Sequence, residues 1–397
     1  MMKRYLWISI WFIIVSLFYS PSMGADRWGT GALLVIVERE NSSVVIVDSL
    51  TNKILGRISD LGLLHHATVS FSHDARYAYL VSRDGWLNKL DLLTIKRVAR
   101  IRVGESSIGL AVTQDNRFVA VTNYKPADVK IVDAETFAIV HTIPAYKEVE
   151  GKKVYSRTLG MVDAPGNLLV FSLMDVDGIW VVDADQNDFP VIKKFWNIGR
   201  MPYDALLTPD GRYYIAGLYH SRHLAMLDTW TLDKIQKISL KDPLKKTPKK
   251  GMRKVPHLEG WAMGNNLLFA PVVGEERLTV YEFGSWKLIK SIDLAGIPMF
   301  AMSCPGGRYI WVNFAGPNHR FVQVIDSLKI EVIKTLEIGD RVFHMGFSPK
   351  GNRIYLSSYK ENKVVVIDTR NFQIIKEIPV RNPSGIFSSV RAHILGL

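Results

Sequence analysis

Eight times along this chain an apolar run, mostly β-branched, ends in an acidic residue: Val44-Val-Ile-Val-Asp48, Lys89-Leu-Asp91, Val129-Lys-Ile-Val-Asp133, Trp180-Val-Val-Asp183, Ala225-Met-Leu-Asp228, Thr279-Val-Tyr-Glu282, Val322-Gln-Val-Ile-Asp326 and Val364-Val-Val-Ile-Asp368. The acids are spaced by 43, 42, 50, 45, 54, 44 and 42 residues. A few turn residues and a second strand follow each one, as at Ala138–Ile143 and Lys329–Leu336. Most are preceded by another strand opened at a tight turn, such as Asp74-Ala-Arg-Tyr77, Asp210-Gly-Arg-Tyr213 or Lys350-Gly-Asn-Arg353. Asp, Asn and Gly supply the backbone and side-chain bonds that such turns need. Four strands per repeat of about 40–50 residues, with no helical period, predict a β-propeller.

Residues 30–397 number 368, which eight repeats of 46 fill. The fold class is therefore all-β, an eight-bladed β-propeller over residues 25–397. Seven repeats carry an inner strand, starting near His66, Ile108, Arg157, Tyr203, His257, Met299 and Val342. The first, Ala32 to Ile58, has only three strands. Its fourth is expected from the C-terminal segment Gly385–Ile394, which would complete the first blade and remove a free sheet edge.

Residues 1–24 read as a signal peptide: Lys3 and Arg4, an apolar run from Tyr5 to Tyr19, then a small-residue cleavage pattern at Ser22 and Gly24. Export to the periplasm with cleavage is expected, and no Cys follows the run to carry a lipid anchor. Removing Lys3 and Arg4 leaves 48 basic and 38 acidic residues, a charge of +10 that favours an anionic partner. One cysteine, Cys304, rules out an intrachain disulfide, a thiolate zinc site and a covalently attached c-type haem.

In a four-stranded blade, the loops joining strands two to three and blade to blade share one face, and here they are long and varied. Function is expected there. That face holds His65, His66, Arg83, Arg157, Asp175, Arg200, Tyr203, His257 and His344. No Gly-x-Ser-x-Gly elbow, His-Glu-x-x-His, phosphate loop or EF-hand is present. One loop histidine is ordinarily a structural residue. Several converging on a channel with Arg and Tyr point to a cofactor whose metal takes an imidazole and whose carboxylates take arginine forks. Lys241–Lys254, with seven positive charges and one negative, reads either as a closure over an anionic ligand or as a solvated loop. Lacking interleaved aromatics, it does not argue for nucleic acid. Trp86, Trp180, Trp230, Trp261 and Trp311 are expected to pack within the repeats.

Leu61-Gly-Leu-Leu-His-His-Ala-Thr68, Tyr77-Ala-Tyr-Leu-Val-Ser-Arg-Asp-Gly85 and Leu90-Asp-Leu-Leu-Thr94 resemble the first blades of the d1-haem domain of cytochrome cd1 nitrite reductases and their relatives in d1-haem assembly. Thr122-Asn-Tyr-Lys-Pro126, Gly199-Arg-Met-Pro-Tyr-Asp-Ala205, Pro256-His-Leu-Glu-Gly-Trp-Ala262 and Trp311-Val-Asn-Phe-Ala315 are similar to the biosynthetic branch. The resemblance spans the mature chain. It implies a d1-type haem, or its iron-tetrapyrrole precursor, bound over the channel. His66 is then the axial iron ligand, preferred to His65 because it abuts the inner strand, and His257 is the distal histidine. The reductases' second distal histidine is expected to be replaced, with Cys304 near its place. With no c-type cytochrome domain either, the departures argue against nitrite reduction.

Two functions follow from the resemblance. The first is an enzyme that modifies side chains of the precursor, with Arg83, Arg157 and Arg200 holding its acids, Tyr203 and His344 in the binding ring, and His257 or Asp175 moving protons. The second is a non-catalytic carrier of the precursor or finished haem. Nitrite reductase and other d1-haem maturation proteins are the implied protein partners, and a homodimer is left open.

Overall fold

The computed structural model describes residues 29–241, 262–272 and 275–394. The leader, His257, Trp261 and all of Lys241–Lys254 except Lys241 lie outside them. Eight four-stranded antiparallel sheets follow one another around a ring, blade 2 for instance running Thr68–Phe71, Tyr77–Val81, Trp86–Asp91 and Lys96–Arg102 from the inside out. Among the described residues no helix is long and apolar enough to cross a membrane.

The recurring acid has a physical cause. It ends the third strand of each blade, and in seven of the eight its carboxylate accepts the N–H two residues on, as from Leu50 to Asp48 at 2.8 Å, Leu93 to Asp91 at 2.9 Å, Trp230 to Asp228 at 3.0 Å and Arg370 to Asp368 at 2.9 Å. Its carbonyl then accepts the N–H four residues on, as from Phe137 to Asp133 and from Phe372 to Asp368, both at 2.9 Å. That fourth residue is left-handed, with φ of 57° at Phe137, 55° at Trp286 and 61° at Phe372. A bulky side chain there costs about 1–2 kcal/mol, offset where the ring packs into the seam between blades, as Phe137 and Trp286 do.

The ring closes as expected. Pro383–Ser388 pairs antiparallel with Leu33–Glu38, matching Val35 with Phe387 and Ile36 with Ile386. The closing strand is shorter than the expected Gly385–Ile394, because Ser389–His393 turns into a 3-10 helix. Ser389 anchors that turn, its Oγ donating to the Thr30 carbonyl at 2.5 Å and accepting the Leu33 N–H at 3.1 Å. Glu38, at 0% exposure, binds the seam together. It accepts Arg57 Nε at 2.7 Å and Nη2 at 3.0 Å, Ser43 Oγ at 2.6 Å and the Arg381 backbone N–H at 3.1 Å, so one carboxylate ties three strands of blade 1 to the segment entering the closing strand.

Two features differ from expectation. A hairpin, Tyr146–Val149 paired with Lys152–Tyr155, is inserted between blades 3 and 4 and accounts for the 50-residue spacing. Trp180 and Trp311 pack in the core, whereas Trp230 is 63% exposed beneath the Arg212 guanidinium.

Burial pushes the Glu38 carboxyl up, but the bonds from Arg57, Ser43 and Arg381 outweigh it and hold the pKa at about 2 against an ordinary 4.5. At 1.36 kcal/mol per unit this stabilises the fold by about 3 kcal/mol. Because the folded-state value is depressed, the contribution is full above about pH 4.5 and lost as the pH falls towards 2. Glu38→Gln is expected to lower stability at pH 7 by about 3 kcal/mol and to flatten the acid limb of a melting-temperature profile. An unchanged acid limb would remove Glu38 from the closure.

Candidate functional site

A cavity of about 190 Å³ opens on the loop-rich face, over the starts of the inner strands. Five of those strands are bulged at its depth, the closing strand among them, its pairing slipping between Ile36 and Glu38 of its partner. Pairing with the second strand slips between Ser107 and Gly109, Leu159 and Val162, Pro202 and Ala205, and Pro298 and Ala301. The residues freed by the slips, Ile108, Gly160 with Met161, Tyr203 with Asp204, and Met299 with Phe300, are wall residues of the cavity. A bulge leaves a residue out of the ladder and re-aims its side chain, so ladder irregularity makes the site. Gly160 is needed there: its φ is +59°, and a Cβ would stand 3.0 Å from the Tyr203 carbonyl.

His66 lies in the wall, just before Thr68–Phe71, with φ of 59°. His65 is not in that wall. Its Nδ1 accepts Arg39 Nη2 at 2.8 Å, and its Nε2 stands 3.6 Å from Glu40 Oε2, which is itself bridged to the Tyr359 hydroxyl through Oε1 at 2.6 Å. The two neighbours are thus sorted, one turned to the cavity and one tied into a polar clasp.

His344 sits at the inner end, its ring 5.3 Å from both Phe300 and Phe387 and its Nδ1 facing the Ile386 N–H at 3.3 Å. Burial, with the Arg391 charge added, pushes its pKa down to about 3. It is a neutral imidazole at physiological pH. Among the described wall residues Asp204 is the only acid, and Arg39 and Arg391 are the cations.

A second cluster stands behind the wall. Tyr124 lies under the Arg83 guanidinium at 4.5 Å and the Arg157 guanidinium at 5.4 Å, and its hydroxyl bonds Tyr203. Burial raises the pKa of both tyrosines, keeping them protonated. Arg83 Nη1 is buried without a hydrogen-bond partner among the described residues. Arg157 is engaged, donating Nε to Asp175 Oδ2 at 3.0 Å and Nη2 to Oδ1 at 2.5 Å. Burial pushes the Asp175 carboxyl up, but the Arg157 bonds prevail and hold it below the ordinary carboxylate range.

Of the expected site residues, His66, Tyr203 and His344 share the cavity. Arg83, Arg157 and Asp175 form the cluster behind it, reaching the wall through Tyr124. Arg200 is exposed and outside the wall, its backbone N–H donating to Ser221 Oγ at 2.9 Å. His257 lies outside the described residues. The expectation for Cys304 is corrected. It follows strand Ile297–Ser303 in the short turn at the opposite face, where the Tyr309 N–H points at its Sγ from 3.4 Å, and the same strand meets the cavity with Met299 and Phe300. Arg39, Asp204 and Arg391 were missed. Asp204 sits beside Tyr203 in a bulge, and Arg391 in the turn after the closing strand, neither of which period-two patterning marks.

A family model described as the cytochrome D1 heme domain matches residues 28–392. Protein NirF of Pseudomonas aeruginosa is 44% identical over 97% of this chain and 98% of its own length. The chain belongs to the cytochrome D1 heme domain family, in its NirF branch. A second Protein NirF, from Stutzerimonas stutzeri, is 43% identical over 93% of the chain and 94% of its own length. Among solved structures, dihydro-heme d1 dehydrogenase NirN in complex with DHE is similar at a TM-score of 0.81 and 26% identity, covering 91% of this chain and 76% of that one. Membership of the NirF branch ties the chain to d1-haem biosynthesis or maturation.

Proposed function

We propose that the chain binds a d1-type iron tetrapyrrole in the loop-face cavity, with His66 as axial ligand, and modifies an acid side chain of that pigment in the periplasm. The observation that carries this is His66 in the wall of a mainly apolar cavity, while its neighbour His65 is held away and the wall's other histidine, His344, is bonded at the inner end. The residues suit the group. Met161, Met299, Phe300, Phe343 and Phe387 offer apolar surface to a planar ring. Among the described residues no cluster of three His, Cys, Asp or Glu could hold a bare metal. One imidazole suffices for iron already held by four pyrrole nitrogens. The leader, with Lys3 and Arg4 before its apolar run, supports the periplasm as the compartment.

The pigment's acids are assigned to the arginines. Arg39 stands in the wall, and Arg83 adds a half-buried guanidinium whose Nη1 has no hydrogen-bond partner among the described residues. Arg157 acts mainly as a fixed positive charge, because its fork already faces Asp175. Arg200 contributes only to the general field. Proton transfer belongs to Asp204, the acid of the described wall, while Asp175 orients Arg157. Tyr203, protonated beside Asp204 and bonded to Tyr124, stands in the wall beside the bound pigment. His257 remains the proposed distal group.

His66→Ala is expected to change the absorption spectrum of the bound pigment and weaken binding by at least about tenfold, with His65→Ala leaving the spectrum intact. The reverse order would move the ligand to His65. In titrations at matched salt, Arg83→Lys is expected to lose about ten- to a hundredfold in affinity, since Lys keeps the charge but not the fork. Arg200→Lys should bind like the parent, and equal affinities in both would reduce Arg83 to a packing residue. For catalysis, the readout is the mass of the pigment after incubation with the protein in periplasmic extract. Asp204→Asn should bind the pigment and leave its mass unchanged while the parent shifts it. No shift with the parent would favour the carrier reading.

A further inference from the structure

We propose a second ligand site at the opposite mouth of the channel, built for one amphipathic monocarboxylate. The proposal stands apart from the reading of the loop-face site. A second cavity, of about 240 Å³, lies over the C-terminal ends of the inner strands of blades 5 to 8 and of the closing strand. Among the described residues it meets the first only at Leu206, His344 and Arg391, which line both.

The chemistry of the wall selects the ligand. Leu207, Met263, Met302, Phe347, Ile386 and Val390 make most of it apolar. Methionines at two places let such a wall adapt to chains of different shape. Arg391, on the 3-10 turn Ser389–His393, is the only charged side chain among the described residues of this wall, since His344 is held neutral. Ser388 adds a directional group. It is 5% exposed, lines the cavity, and its Oγ is buried with no hydrogen-bond partner among the described residues. A buried hydroxyl without a partner is uncommon, and a carboxylate oxygen would satisfy it.

One cation, one hydroxyl donor and an otherwise apolar wall match one carboxylate on an apolar body. They do not match a polyanionic tetrapyrrole, which needs several cations. Ser388 is the last residue of the closing strand and Arg391 stands three residues on, so the ligand would rest on the seam that closes the ring.

The test is calorimetric titration of the full chain with decanoate below its micellar concentration, with decanol as the uncharged control. Saturable one-to-one binding is expected, with decanol at least about tenfold weaker. Ser388→Ala should weaken decanoate about three- to tenfold. Met302→Trp, which fills the wall, should abolish binding, and Met263→Phe should reduce it if the first variant melts early. Protein loaded with a d1-type haem should bind decanoate within threefold of unloaded protein. Absent or non-saturable binding, equal affinity for decanol, or one-for-one competition by the haem would overturn the second site without touching the first.

Discussion

Everything at the centre of this molecule depends on closing the ring. Blade 1 is assembled from both ends of the described chain, and its stability is concentrated in a carboxylate that water does not reach. Glu38 is costly to bury and remains ionised because Arg57 and Ser43, from two neighbouring strands, and Arg381, from the segment entering the closing strand, converge on it. A buried charge with full hydrogen bonding is specific more than it is strong, and removing one partner leaves the others uncompensated. The consequence reaches the site, because Ser384, Gly385 and Phe387 of the closing strand are wall residues of the loop-face cavity. A ring that opened at blade 1 would lose the wall beside His344.

Within that ring the cavity is made by departures from regular pairing. A perfectly laddered inner strand sends alternate side chains to its two faces, each packed against a neighbouring blade. Bulges at Ile108, Met161, Tyr203 with Asp204 and Met299 with Phe300 bring side chains to the axis instead. The same irregularity brings an acid beside a buried tyrosine, and Tyr124 carries the connection out to Arg83 and Arg157. Of the two cations in the described wall, Arg391 stands at the inner end beside neutral His344, and Arg39 stands by His65.

Much of the fold was legible because its signal is local. The acid at the end of the third strand bonds into the turn that follows it, so it recurs wherever that turn recurs, and counting acids counts blades. Closure was legible because one repeat lacked a strand and the C-terminus had a spare one. The place of His66 in the cavity wall was legible from its position before an inner strand, and its difference from His65 follows from Arg39, a residue of the 3-10 turn Arg39–Asn41 that no strand pattern marks. The bulges were not legible, since a slip by one residue leaves composition and length unchanged. Asp204 and Phe300 were hidden for that reason, and Cys304 was placed on the wrong face because position along the strand was read without its direction. Arg200 and Tyr203, three residues apart, differ because only the second enters a bulged strand.

The central claim is that iron sits over the channel mouth, held by one imidazole of this chain. A crystal structure of the full protein with a d1-type haem bound, phased so that the anomalous signal of iron is located, tests it most directly. The expected result is one iron peak in the loop-face cavity, bonded to a ring nitrogen of His66, with the macrocycle against Met161, Phe300 and Phe343 and its carboxylates towards Arg39 and Arg83. Iron bonded to another residue, or a pigment seated outside that cavity, would contradict it.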